Sequence, residues 1–118
     1  VKYSEFSYLN FFELIYFYNT LTHKGLEAEW FFDENNRLQK GIGVAKRLTE
    51  LNRIRKFEGN FEIVYTDLSG SKSPKLELEI LFKSEIYYLT WIYNEEVTNL
   101  GIGIESDDKL LVSYKKVT

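Results

Sequence analysis

The chain has no cysteine, one proline and one histidine. Without a thiol there is neither a disulfide nor a thiolate metal site to consider, and such a chain suits cytoplasm and periplasm equally. His23 stands alone in Thr-His-Lys-Gly beside a turn signal. Metal centres and nucleophilic triads need partners that no nearby motif supplies, so it reads as a solvated loop residue. Long apolar runs are also missing. The richest, LNFFELIYFY from Leu9, is broken by Glu13 and falls short of the roughly 18 residues of a membrane helix, so no membrane span is expected. No signal-peptide h-region follows Val1-Lys2. The Gly-x-Gly pairs at Gly41 and Gly101 lack the helix start that a phosphate-cradling loop requires, and no cofactor is expected.

What is present points to strands. A length of 118 residues suits one domain with a single core, and 44% apolar with 28% charged residues is a globular balance. Nine Tyr, nine Phe and two Trp make rings the main filling of that core. Apolar residues recur with period two. Leu76, Leu78 and Ile80 alternate with Glu77 and Glu79, Tyr87, Leu89, Trp91 and Tyr93 share one face, and Leu110, Val112 and Tyr114 share another. Short polar breaks at Asp33–Asn36, Lys83–Glu85 and Ser106–Lys109 have hairpin length, and the only proline sits in the Ser69–Pro74 loop. The pattern predicts eight strands, at about 11–18, 26–32, 38–46, 60–66, 75–82, 86–93, 97–105 and 110–116. The first segment also carries a helical reading, with Ser4 as a cap, Gly25 as a stop and Phe6, Leu9, Phe12 and Tyr16 at helical spacing. A short helical lead-in over residues 4–9 therefore stays open.

The two halves echo each other. FELIY from Phe12 matches FEIVY from Phe61, LEAE from Leu26 matches LELE from Leu76, and GIGV from Gly41 matches GIGI from Gly101. Three matches in one order suggest an internal repeat, about 10–57 and 58–118, within a single domain 1–118. Trp30 precedes the first Gly-x-Gly and Trp91 the second, so the glycines are expected to clear space for indoles where the sheet curves. In this grammar the chain resembles small bacterial calycin-type, lipocalin-like barrel proteins. The resemblance implies an all-β, eight-stranded up-and-down antiparallel barrel and a non-enzymatic role binding a small apolar molecule.

Period two assigns faces. The inward set includes Phe12, Leu14, Tyr16, Trp30, Tyr65, Tyr87, Trp91 and Tyr114, and the rings Tyr16, Trp30, Tyr65, Tyr87, Trp91 and Tyr114 are the expected ligand contacts. On the outward face, Phe11, Ile15, Phe17, Phe31, Tyr88 and Ile92 form an apolar patch that suits a protein partner, most simply a homodimer. Net charge is −3, yet residues 37–56 carry Arg37, Lys40, Lys46, Arg47, Arg53, Arg55 and Lys56 against Glu50 alone. That run is either a solvated loop or a patch for an anion or acidic partner, carried by Lys46, Arg47, Arg53, Arg55 and Lys56. It lacks interleaved aromatics, so nucleic acid is not an expected partner. Glu27/Glu29 and Glu77/Glu79 lie on the wet face, Asp107-Asp108 is a turn, and no nucleophile–base constellation or metal site is present.

Overall fold

The computed structural model describes residues 13–19, 25–34, 37–48 and 55–117. They form β1 (Glu13–Asn19), β2 (Gly25–Glu34), β3 (Arg37–Arg47), β4 (Gly59–Asp67), β5 (Leu76–Lys83), β6 (Ile86–Tyr93), β7 (Glu96–Ser106) and β8 (Lys109–Lys116). Each strand pairs antiparallel with the next, and β8 returns to β1. The sheet is thus a closed up-and-down barrel without an unpaired edge, the topology that the resemblance implies. No helix occurs among the described residues, and none there could cross a membrane. Residues 4–9, Phe11, Phe12, His23 and Arg53 lie outside the described residues.

Three hairpins share one turn geometry. Ser84-Glu85, Asn94-Glu95 and Asp107-Asp108 all have positive φ, between 49° and 68°. The flanking pairs Lys83↔Ile86, Tyr93↔Glu96 and Ser106↔Lys109 make each a two-residue turn. Two successive positive φ values define type I′, whose twist matches that of the strands it joins.

The core follows the two-residue period on β2, β4, β5, β6 and β8, where Leu26, Ala28, Phe61, Ile63, Leu78, Ile80, Tyr87, Leu89, Trp91, Leu110 and Val112 are buried. Strand β1 departs from the expectation. Ile15 and Phe17 point inward, at 3% and 0% exposure, whereas Leu14 is 46% exposed and Tyr16 lies outside. Ile15 and Phe17 therefore do not belong to an outer patch, and Tyr16 does not line the interior. Cross-strand chemistry accounts for this register. Tyr16 stands opposite Glu29 and Tyr18 opposite Glu27. The carboxylates on the wet face of β2 accept from both phenols, so these hydroxyls are satisfied outside. Ile15 and Phe17 carry no polar atom and fill the inside without leaving a group unpaired.

Small residues occupy the inner faces of β3 (Gly41, Gly43, Ala45) and β7 (Gly101, Gly103). These strands stand four apart in an eight-strand ring, on opposite walls. Trp30 is paired directly with Gly41, and a Cβ there would fall within its indole ring and against the Thr66 carbonyl oxygen. A Cβ on Gly43 would come within 2.8 Å of the Tyr65 ring. On the far wall Trp91 pairs with Asn99, ahead of a register shift between Trp91 and Ile92, and its indole reaches diagonally to Gly101. Both tryptophans thus lean toward bare backbone, by different registers.

One end of the barrel is plugged. After β3, residues 55–58 turn across the opening and bury Phe57 completely, edge-on to Tyr87 with ring centroids 6.3 Å apart. Arg47 secures the plug by donating from Nη1 to the Glu58 carbonyl (2.7 Å) and from Nη2 to the Lys56 carbonyl (2.6 Å). Glu58 in turn accepts from the Phe82 amide at 3.0 Å.

Candidate functional site

Among the described residues, nothing closes the opposite end. It carries a cavity of about 230 Å³ lined by Ile15, Trp30, Tyr65, Leu76, Trp91, Asn99 and Tyr114. The wall residues stand above filled layers of their strands: Trp30 above Ala28 and Leu26, Tyr65 above Ile63 and Phe61, Trp91 above Leu89 and Tyr87, Tyr114 above Val112 and Leu110. No buried polar or charged residue interrupts those layers among the described residues. The cavity is therefore a cup on a packed floor and not a channel.

Local structure fixes the rings. The Trp30 indole donates to the Ile42 carbonyl at 3.2 Å, which holds it across Gly41. The Trp91 indole donates to the Tyr65 hydroxyl at 2.6 Å and tilts against Tyr114 with centroids 5.8 Å apart. Strand β4 outruns its pairing with β5, which ends at Ile63↔Leu76, and the following loop takes over beside Tyr65. Ser73 donates its amide to the Tyr65 carbonyl (2.8 Å) and accepts the Tyr65 amide on Oγ (2.9 Å). Asp67 stiffens the same loop by accepting from Ser69 and Ser71, and these bonds hold its carboxyl below the usual carboxylate range.

All seven lining side chains are uncharged. Burial pushes the Tyr65 phenol well above its ordinary value, and the Trp91 N–H opposes that only in part. Burial, aided by Glu13, pushes Tyr114 up to about 12. Burial raises the Glu13 carboxyl against the pull of Lys116. Both phenols are thus neutral donors across the physiological range.

Four of the six expected ligand contacts, Trp30, Tyr65, Trp91 and Tyr114, meet here. Tyr87 lies at the plugged end, donating to Glu105 at 2.7 Å, and Tyr16 is outside. Asn99 and Ile15 were not expected at the site. Asn99 was within reach of the sequence, because stepping back by two from Gly103 and Gly101 lands on it.

The basic run is turned largely onto the protein itself. Arg47 holds the plug and lies over the Phe61 ring at 4.6 Å, Arg55 lies over Phe82 at 3.9 Å, and Lys56 binds Asp108 at 2.9 Å. Of the described members of the expected patch, Lys46 alone is exposed and unengaged in this way. Asp107-Asp108 is a turn, and no acidic cluster that could hold a metal occurs among the described residues.

On the outside, apolar side chains follow the hydrogen-bonding direction across neighbouring strands. Leu81 pairs with Tyr88 and Tyr88 with Ile102, while Ile104 pairs with Leu111 and Leu111 with Tyr16. Leu81, Tyr88, Ile102, Ile104 and Leu111 are between 42% and 57% exposed. Phe31 and Ile92 are half-buried on the same outer surface.

No family model, curated protein or solved structure matches this chain. What the open end can do rests on its own residues.

Proposed function

We propose that the protein is a non-enzymatic binding protein that holds one small apolar or aromatic molecule in the open end of a lipocalin-like barrel. The observation that carries this reading is the asymmetry of the two ends: Phe57 plugs one, while four aromatic side chains surround a cavity of about 230 Å³ at the other. Aromatic walls with a few placed polar groups are what small-molecule pockets commonly present. The volume is below the usual range for drug-sized ligands, roughly 300–1,000 Å³, so the ligand is of one or two rings. The packed floor leaves no room for a long acyl chain. Naphthalene should quench or shift tryptophan fluorescence with saturable one-to-one binding. Leu76→Trp, which fills the cup from its half-buried rim, should abolish that response in a folded barrel. An unresponsive wild-type protein would sink the reading.

The exterior apolar surface favours a second reading, homodimerisation. A closed barrel has no edge strand to offer, so association must be face to face, and contiguous exposed apolar surface is how such faces are recognised. Ile102→Glu should then convert a dimer to a folded monomer in sedimentation. A wild-type protein that sediments as a monomer at high concentration would remove this alternative.

A further inference from the structure

We infer that the ligand of the open cup is a neutral, flat aromatic molecule carrying a hydrogen-bond acceptor, and that the Tyr65 hydroxyl is the group that selects it. This rests on the reading of the cup as a binding site and adds the chemistry of what enters.

The inference comes from counting donors and acceptors. Both indole N–H groups at the cup are already spent, Trp30 on the Ile42 carbonyl and Trp91 on the Tyr65 oxygen. Tyr65 therefore acts as acceptor toward Trp91, and its own hydroxyl proton finds no acceptor among the described residues. A phenol has one proton to give, and receiving an N–H polarises it into a better donor. The Tyr114 hydroxyl likewise has no described partner. The wall thus presents aromatic faces, two phenolic donors and the Asn99 side-chain amide. An apolar ligand without an acceptor would cover these hydroxyls and leave them unsatisfied, a cost that a ligand with an acceptor avoids.

Charge is selected against in both signs. No lining side chain is charged, so an anion would be desolvated without a partner, and the Glu13 carboxyl near Tyr114 would repel it. A cation could stack on the rings, as in aromatic cages. Glu13 is a poor counter-charge for it, because it is not among the lining residues and already faces Lys116. A ring nitrogen or carbonyl on a flat neutral molecule fits both the rings and the donors.

The test compares four probes on the full chain by tryptophan fluorescence: naphthalene, quinoline, choline and laurate. Quinoline differs from naphthalene by one ring nitrogen. Wild-type protein should prefer quinoline over naphthalene once each affinity is referred to its transfer from water to octanol. Tyr65→Phe should lower the quinoline-to-naphthalene affinity ratio by about two- to tenfold, the range of one neutral hydrogen bond. Tyr114→Phe removes a hydroxyl that bonds none of the described residues and should lower the ratio in the same direction. The wild-type preference is decisive even if Tyr65→Phe fails to fold. Naphthalene binding with no quinoline preference in wild type would overturn the inference and leave the site standing. Tighter binding of choline or laurate than of quinoline would overturn it also, in favour of a cage or an acyl site. Failure of all four probes would remove the site and the inference together.

Discussion

At the residue scale the account depends on which side of the sheet each side chain occupies, and β1 is where that is least obvious. Leu14, Ile15, Tyr16, Phe17 and Tyr18 are all apolar or aromatic, so alternation carries no signal there, and matching FELIY to FEIVY shifts the strand by one residue. A one-residue slip exchanges every inward and outward side chain. The structure resolves the choice through the hydroxyls: the tyrosines face Glu27 and Glu29, and Ile15 and Phe17 go inside. Phe17→Ala should accordingly lower stability by about 3–5 kcal/mol in denaturant unfolding, while Leu14→Ala should change it by only about 0.5 kcal/mol. The reverse ranking would mean the other register. Gly41 offers a second check. Its Cβ would meet the Trp30 ring and the Thr66 carbonyl, one of them backbone that cannot swing aside. Gly41→Ala should cost about 1–3 kcal/mol by the same measurement. The space-making role of this glycine beside Trp30 was legible from the Trp and Gly-x-Gly arrangement alone; the approach of Trp91 to Gly101 was legible too, but not the β6–β7 register, which pairs Trp91 with Asn99 and makes its indole reach Gly101 diagonally.

At the element scale the strands and hairpins were readable because each leaves a short-range mark: alternation in the strand, a polar pair between strands. Glu95 adopts φ 66° in its turn, a left-handed conformation that costs a side chain more than it costs glycine. Glu95→Gly should therefore raise stability by about 0.5–1 kcal/mol, seen as a higher denaturant midpoint, with the register of β6 and β7 unchanged. The plug left no such mark. Phe57 sits in Arg-Lys-Phe-Glu, where charge suggests a solvated loop, and its burial is set by long-range partners: the Arg47 guanidinium, the Tyr87 ring edge and the Glu58 bond to Phe82. Sequence spacing cannot announce contacts that depend on the barrel having already closed. For the same reason the sequence left the basic run open between a solvated loop and a patch, whereas Arg47, Arg55 and Lys56 are held against rings and backbone of this chain.

At the scale of the whole molecule, the fold holds several phenols above their ordinary range. The Tyr16 phenol is pushed up to about 12, chiefly by its hydrogen bond to Glu29, and Tyr114 to about 12, chiefly by burial. Burial raises Tyr65 and Tyr87 as well. In the unfolded chain phenols ionise near about pH 10. Between about pH 10 and about pH 12 the unfolded chain loses protons that the fold retains, so stability is full below that window and falls as pH rises through it. Denaturant midpoints should hold up to about pH 9 and drop by about pH 11, with tyrosinate absorbance appearing as the barrel unfolds. The same protonated phenols, two of them at the cup, serve the open end as donors while the plugged end contributes stability. The most direct test of that division is the amide and indole N–H NMR spectrum during a quinoline titration. The Trp30 and Trp91 indole signals, with the amides of Tyr65, Asn99 and Tyr114, should shift together and saturate, while Phe57, Tyr87 and Leu110 at the plugged end stay in place. Shifts confined to the plugged end or to Tyr88, Ile102 and Leu111 on the exterior, or no shift at all, would contradict the account.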